Sequence, residues 1–247
     1  ILKIINSYKI DELSFSITFE NKKDSCFALL FAIFLSDLTL NSELIFKDKK
    51  KLYDKVIDNF LRFTKNKDIF EKSYLQLLTL TLSALYIIDS ENINFKEKFI
   101  KDVESNKIKV FDYLNNFKCL KGKPSSGNYA MFLAIVLIYL DRFLGTDKKK
   151  EIDYWVKLHL QNVNINGLWG DDKNFYAYFQ NGYHQYEIFK YLRLNEVPIK
   201  KATEAVSKLL NKYGGFAPYP GGGACYDYDA IFFLTYTTNN TFLKKNY

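Results

Sequence analysis

Apolar segments recur along this chain at a nearly constant interval. They begin at Cys26 (CFALLFAIFLSDL), Tyr74 (YLQLLTLTLSALYII), Tyr129 (YAMFLAIVLIYLDRFL), Tyr183 (YHQYEIFKYL) and Tyr226 (YDYDAIFFLTY), 43 to 55 residues apart. An interval of that length is typical of two-helix repeats. The first three segments are apolar nearly all round, the pattern of helices buried on every side.

Helices of a second kind are expected between them. KKKLYDKVIDNFLRF puts Leu52, Tyr53, Val56, Ile57, Phe60 and Leu61 on one stripe, with lysines and acids opposite. KKKEIDYWVKLHL does the same with Ile152, Trp155, Val156 and His159, and KKATEAVSKLLNK with Ala202, Ala205, Val206, Leu209 and Leu210. FKEKFIKDV is a shorter version. Such stripes mark helices with one wet face. The order is therefore amphipathic, buried, amphipathic, buried, and each pair reads as a helical hairpin. An open solenoid would expose one face of every buried helix, whereas a closed ring encloses them. All-round hydrophobicity favours the ring. The expected fold is all-α, a single α/α toroid over residues 1–247, with part of the ring missing or irregular. No period-two strand pattern persists.

Glycine-rich loops, NGLWG (166–170) and YGGFAPYPGG (213–222), follow two of the amphipathic segments. Each falls where an outer helix must stop and the chain must turn inward. Glycine accepts the positive φ that ends a helix, and Pro218 and Pro220 prevent continuation.

These loops carry a resemblance. Gln161 followed by Gly167-Leu168-Trp169 resembles the QW motif of triterpene cyclases. GGFAPYPGG, running into CYDYDAIFFL, resembles the GGF-x-x-x-PG repeat of protein prenyltransferase β subunits and squalene-hopene-type cyclases. Both families are α/α toroids. The motifs cover about a third of the chain and are repeat-building features, so they imply fold more strongly than function. The resemblance implies an enzyme of the terpenoid cyclase/prenyltransferase type, acting on a prenyl-bearing or anionic substrate in the ring's cavity. DYDA (227–230) keeps the first two acids of the cyclases' DxDD motif and lacks the last. The prenyltransferases bind zinc with Asp, Cys and His. Cys225, Asp227 and His184 supply those types here, but with Asp-x-Cys reversed to Cys-x-Asp. A buried thiol is the plainer reading of Cys225, so the expectation is no cofactor, with those three as the set if zinc were bound.

In a ring of hairpins all inner helices run the same way, and their N-termini collect at one end, where free N–H groups favour an anion. The segments KSY (72–74), SSGNY (125–129), QNGYHQYE (180–187) and CYDYD (225–229) are read as polar starts of inner helices. Capping accounts for some of that polarity. His184 and Glu187, three apart, share a helix face and suit acid/base work. Asp227 and Asp229, two apart, should diverge, one toward the cavity and one capping. Tyr226 joins them as a candidate catalytic group. Asn128, Tyr129, Asn181, Tyr183, Trp169 and Tyr228 are candidates for substrate contact. A helix N-terminus lowers a carboxyl pKa, which favours His184 as the acid and an aspartate as its ionised partner. His159, on an apolar stripe, reads as a packed core histidine. GKPSSG (122–127) lacks the spacing of a phosphate-binding loop.

NGYHQYEI is also similar to the NWW..EI stretch of α/α-toroid polysaccharide lyases, with the acid one residue later and the tryptophans absent. That likeness implies a carbohydrate-active toroid as the alternative, with a cleft lined by Asn181, Tyr183, His184 and Tyr226. A binding module that keeps the cavity without chemistry is the third reading.

Composition narrows the partners. Net charge is +7, carried by lysine, with only three arginines, Arg62, Arg142 and Arg193. Nucleic-acid readers are usually richer in arginine, so none is expected as a partner. Three widely spaced cysteines suit reduced thiols and a cytoplasmic location. The longest apolar runs, CFALLFAIFL and AMFLAIVLIYL, fall short of the ~20 residues of a membrane span, so no transmembrane segment is expected. Ile1 in place of Met suits a piece of a longer protein.

Overall fold

The computed structural model describes residues 1–20, 22–67, 71–88, 118–121, 123, 126–170, 175–219 and 224–236. They are mostly helical. The described residues hold no strand, only an isolated bridge between Lys9 and Phe15. The all-α expectation therefore holds. The FKEKFIKDV segment lies outside the described residues. The chain divides into two compact units, Ile1–Ile108 and Lys109–Tyr247.

The first unit holds α1 (Leu2–Tyr8), α2 (Cys26–Leu38), α3 (Ser42–Ile45), α4 (Lys49–Thr64) and α5 (Lys72–Ile88). Asp48 caps α4 by accepting from the Lys51 N–H at 3.0 Å, an arrangement worth about 1 kcal/mol. Lys49, Lys50 and Lys51 are exposed, and Leu52, Val56, Asn59, Phe60 and Thr64 are buried. Leu61 is exposed, because the buried stripe follows the 3.6-residue period and passes it by. The start of α2 meets the end of α4 through Phe27 and Phe63, with ring centroids 5.8 Å apart. The start of α5 meets that same end through Phe60 and Tyr74, at 5.7 Å. Both apolar helices thus begin where α4 finishes, and they pack on each other. α5 is buried along most of its length. α2 departs from the expectation of all-round burial: Ala28, Leu29, Ala32 and Ile33 are inside, while Phe31, Leu35 and Leu38 are exposed. An apolar groove of about 250 Å³ lies between α1 and α2.

The second unit holds a 3₁₀ turn (Lys118–Lys121), then α6 (Ser126–Leu144), α7 (Lys149–Gln161), α8 (Phe175–Tyr191), α9 (Ile199–Ser207) and α10 (Ala224–Tyr236). α7 lies antiparallel to α6: the Lys148 N–H donates to Asp141 at 3.0 Å near one end, and Trp155 Nε1 donates to the Ala130 carbonyl at 3.0 Å toward the other. α8 and α10 run in the same direction, since Phe179 meets Tyr226, Tyr183 meets Phe232, and Tyr186 meets Tyr236. α6 and α8 also run alike, because Gly127 in the first turn of α6 meets Asn181, and Arg142 lies over the Tyr191 ring near the ends of both. The result is two layers: parallel core helices α6, α8 and α10, with α7 packed on α6 and α9 on α10. Lys149, Lys150, Lys200 and Lys201 face outward. Leu210 is exposed, since α9 ends at Ser207 before reaching it. By length and composition, α6 is apolar enough to cross a membrane; half of it is buried in the unit. The apolar run in the sequence understates this helix, which extends a turn beyond it through Asp141 and Arg142.

The turns into α8 and α10 share one construction. Asn164 Oδ1 accepts from the N–H groups of Asn166 (2.9 Å) and Leu168 (3.1 Å), and its Nδ2 donates to the Gly170 carbonyl (3.0 Å). Forty-seven residues later, Asn211 Oδ1 accepts from Tyr213 (2.9 Å) and Gly215 (3.2 Å), and its Nδ2 donates to Ala217 (3.0 Å). The third residue after each asparagine is a glycine at positive φ, Gly167 at 77° and Gly214 at 84°. There a Cβ would be strained. One amide side chain thus satisfies three backbone groups that a sharp turn would otherwise leave unpaired.

Candidate functional site

The site is built on the α8–α10 face. α8 begins at Phe175, not near Tyr183. The aromatic run FYAYF continues the helix backward, which the apolar pattern alone did not show. Asn181, Tyr183, His184 and Glu187 therefore lie mid-helix, away from the positive end of the helix dipole. Cys225 to Asp229 do lie at the start of α10, as expected.

Successive residues on α8 are turned by about 100°, so two opposite faces separate. One carries Asn181 and Gln185 toward α6. Asn181 Oδ1 accepts from the Gly127 N–H at 3.1 Å, and its Nδ2 donates to the Lys123 carbonyl at 3.0 Å. Gln185 Nε2 donates to the Gly127 carbonyl at 3.2 Å. Both Asn181 groups are engaged in joining helices. Asn128 and Tyr129 sit half-buried in the first turn of α6, the helix against which this face packs.

The other face carries Tyr183 and Glu187 toward α10. Tyr183 is buried, with its ring edge-on to Phe232 (5.0 Å), Tyr228 (5.7 Å) and His184 (5.1 Å). Glu187, one turn on, and Tyr228 are its polar neighbours. Burial and these neighbours push the Tyr183 pKa well up. Glu187 is half-buried; burial raises its pKa, while Tyr183 and Lys190 act in the opposite sense. Asp229 is only 6% exposed. Burial, with the negative charge of Glu187 across the helix interface, pushes its pKa up to about 7. Burial also raises Tyr226, with smaller contributions from Tyr219 and Asp229. Glu187 and Asp229, 42 positions apart on two parallel helices, thus form a carboxyl pair linked through charge. Tyr228, 62% exposed, forms its outer edge.

Asp229 overturns one expectation. Its raised pKa makes it a proton holder near neutrality, where the helix-start argument made an aspartate the ionised partner of His184. The dipole's influence fades within the first turn, and Asp229, the sixth residue of α10, sits beyond it and is buried. Asp227 does diverge from Asp229: its Oδ1 accepts from the Phe216 N–H at 2.8 Å and ties the glycine loop to α10.

Trp169 lies in the core. Its Nε1 donates to the His159 carbonyl at 2.8 Å, and its ring meets Tyr186 and Phe189. Gln161, its partner in the QW-like motif, is exposed. His159 is fully buried, stacked on Trp155 at 3.8 Å, and burial lowers its pKa to about 4. Cys225 is exposed. Among the described residues no three His, Cys, Asp or Glu side chains are grouped to hold a metal ion. Phe232, whose ring packs edge-on to Tyr183, and the two loop asparagines do not stand out in the sequence. A repeated Asn-x-x-Gly in 164–167 and 211–214 was the signal available for the latter.

Comparison with family models, curated proteins and solved structures finds no match to this chain.

Proposed function

We propose that this chain is an α/α-toroid enzyme of the terpenoid cyclase/prenyltransferase type, in which Asp229 supplies a proton to a prenyl-bearing substrate. One observation carries the reading: a carboxyl whose pKa is pushed up to about 7 by burial and by Glu187 lies on the helix whose Tyr228 and Phe232 rings pack on Tyr183. A neutral carboxylic acid in a water-poor setting is a proton donor. The rings of Tyr183, Tyr228 and Phe232 can stabilise the positive charge that protonating an alkene creates. Toroid closure is part of the proposal, supported by the alternation of outer and core helices within the second unit. The thiols of Cys26 and Cys225, free of disulfides, suit a reducing compartment.

A second reading rests on the outer edge of the site. Tyr213, Tyr219 and Tyr228 are exposed beside the carboxyl pair's helix. Exposed tyrosines offer stacking surfaces for sugar rings, as a carbohydrate-active toroid needs. Turnover of prenyl diphosphates and of uronate-containing glycans separates the two. With the true substrate, Asp229→Asn should keep the fold and lose ~10²-fold or more in turnover. Full activity of Asp229→Asn would sink the acid assignment. Binding of either class without turnover would leave a binding module instead.

A further inference from the structure

The uncovered face of α2 belongs to a larger apolar surface in the first unit. Phe31, Leu35 and Leu38 stand four and three residues apart, so they form one ridge along the outer side of the helix. Beside the ridge runs the α1–α2 groove, lined by Ile4, Tyr8, Ile17, Phe31 and Leu35 among others. None of the described residues that line it is charged. Phe19 extends the surface, its ring meeting that of Tyr8 at 6.3 Å. Ile4, Ile17, Phe19, Phe31, Leu35 and Leu38 are each between 42% and 79% exposed. Backbone bonds hold the groove in shape. The Ser16 N–H donates to the Tyr8 carbonyl, and the Ser25 N–H donates to the Phe15 carbonyl, both at 2.9 Å. The chain between α1 and α2 is thus tied to the end of one helix and to the start of the other.

We propose that this face is the interface of a homodimer, in which the α2 ridge of each copy enters the α1–α2 groove of the other. Size supports it. Six such side chains, each offering ~100 Å² to solvent, present ~600 Å² of apolar surface. That is the upper end of the largest patch on a typical monomer, ~300–600 Å². A standard interface takes about 800 Å² from each partner, and about two-thirds of it is apolar in homodimers. The patch supplies that apolar share. Shape points to a second copy as the occupant. A two-fold axis requires a surface that complements itself, and a ridge beside a groove does so. The ridge spacing is that of a helix laid into an apolar groove. Charge disfavours a lipid surface. Residues 1–44 hold four lysines and six acids, net −2, although the whole chain is +7. Helices that lie on anionic membranes present lysine or arginine to the headgroups, and α2 carries Asp37 and no basic residue. This proposal is independent of the role given to Asp229.

Sedimentation equilibrium of the full chain tests it. The wild type should run at twice its 29.0 kDa chain mass. Phe31→Glu and Leu38→Glu change exposed positions, so each should fold with unchanged helicity. Each should weaken the dimer ~10²-fold or more, because the symmetry puts two unpaired charges into one interface. Ile231→Glu alters an exposed apolar residue of α10, in the second unit, and should leave the dimer intact. A wild type that stays monomeric at ~0.1 mM would overturn the proposal. A monomer that instead floats with phosphatidylserine vesicles would overturn it in favour of a lipid surface. So would a dimer that survives both α2 substitutions, or one lost only in Ile231→Glu, in favour of another interface. Dilution of the wild type gives a check that needs no variant. Side-chain NMR signals of Ile4, Phe31 and Leu35 should shift as the dimer dissociates, while that of Ile231 stays in place. Shifts confined to the second unit would equally overturn the assignment.

Discussion

Asp229 and His159 are two buried titratable groups with opposite consequences. An unfolded aspartate titrates near ~4 and an unfolded histidine near ~6.5. In the folded chain Asp229 is raised to about 7 and His159 lowered to about 4. For Asp229, stability is complete below ~4 and falls as pH rises toward 7, because the unfolded chain releases a proton that the folded chain keeps. For His159, stability is complete above ~6.5 and falls as pH drops toward 4, because only the unfolded chain takes up a proton. The first effect is at most about 4 kcal/mol and the second about 3 kcal/mol. Asp229→Asn should therefore raise the urea midpoint at pH 8 and change it little at pH 4. A midpoint unchanged at pH 8 would mean that Asp229 is well solvated.

At the scale of elements, the loop asparagines and the α6–α8 contact are the points of highest leverage. Each loop asparagine satisfies three backbone groups. Asn164→Ala and Asn211→Ala should each cost about 1–3 kcal/mol, and the double variant should cost close to the sum, since the loops share no hydrogen bonds. Thermal melts of the three proteins check this; a loss under about 0.5 kcal/mol at either loop would show that water replaces the amide. Gly127 permits the backbones of α6 and α8 to touch: a Cβ there would stand 2.6 Å from the Asn181 Cα. Gly127→Ala should cost about 1–3 kcal/mol and shift amide signals around Asn181 and Gln185. The apolar pattern made both core helices legible. The glycine that sets their spacing was not legible, because only a three-dimensional contact distinguishes it from a loop glycine.

For the whole molecule, the alternation of wet-faced and apolar helices was readable from period alone, and so was the outward direction of the lysines. Leu61 and Leu210 were misplaced because a stripe drawn on paper ignores where a helix ends and how its period drifts. The pattern of α2 reads as enclosed because composition cannot tell a covered face from an uncovered one. The site was half legible. His184, Glu187 and the divergent aspartates stood out by residue type. The pairing of Glu187 with Asp229 needed the register of α8 against α10, which no local pattern contains. The opposed titrations of Asp229 and His159 predict a flat result for the intact chain: between pH 4.5 and 6.5 its unfolding free energy should vary less than in either Asp229→Asn or His159→Phe, which should slope in opposite directions. A wild-type curve steeper than both variants would contradict that cancellation.

The paired loops also bear on how the protein ages. Hydrolytic loss of ammonia turns asparagine into an aspartate of nearly the same shape. At Asn164 or Asn211 it would replace the nitrogen that donates to Gly170 or Ala217 with an oxygen. The turn would then hold a negative charge against a carbonyl where it had a bond. A change of one mass unit, repeated at two places of identical design, would loosen the entrances to α8 and α10 while leaving the cores of those helices intact.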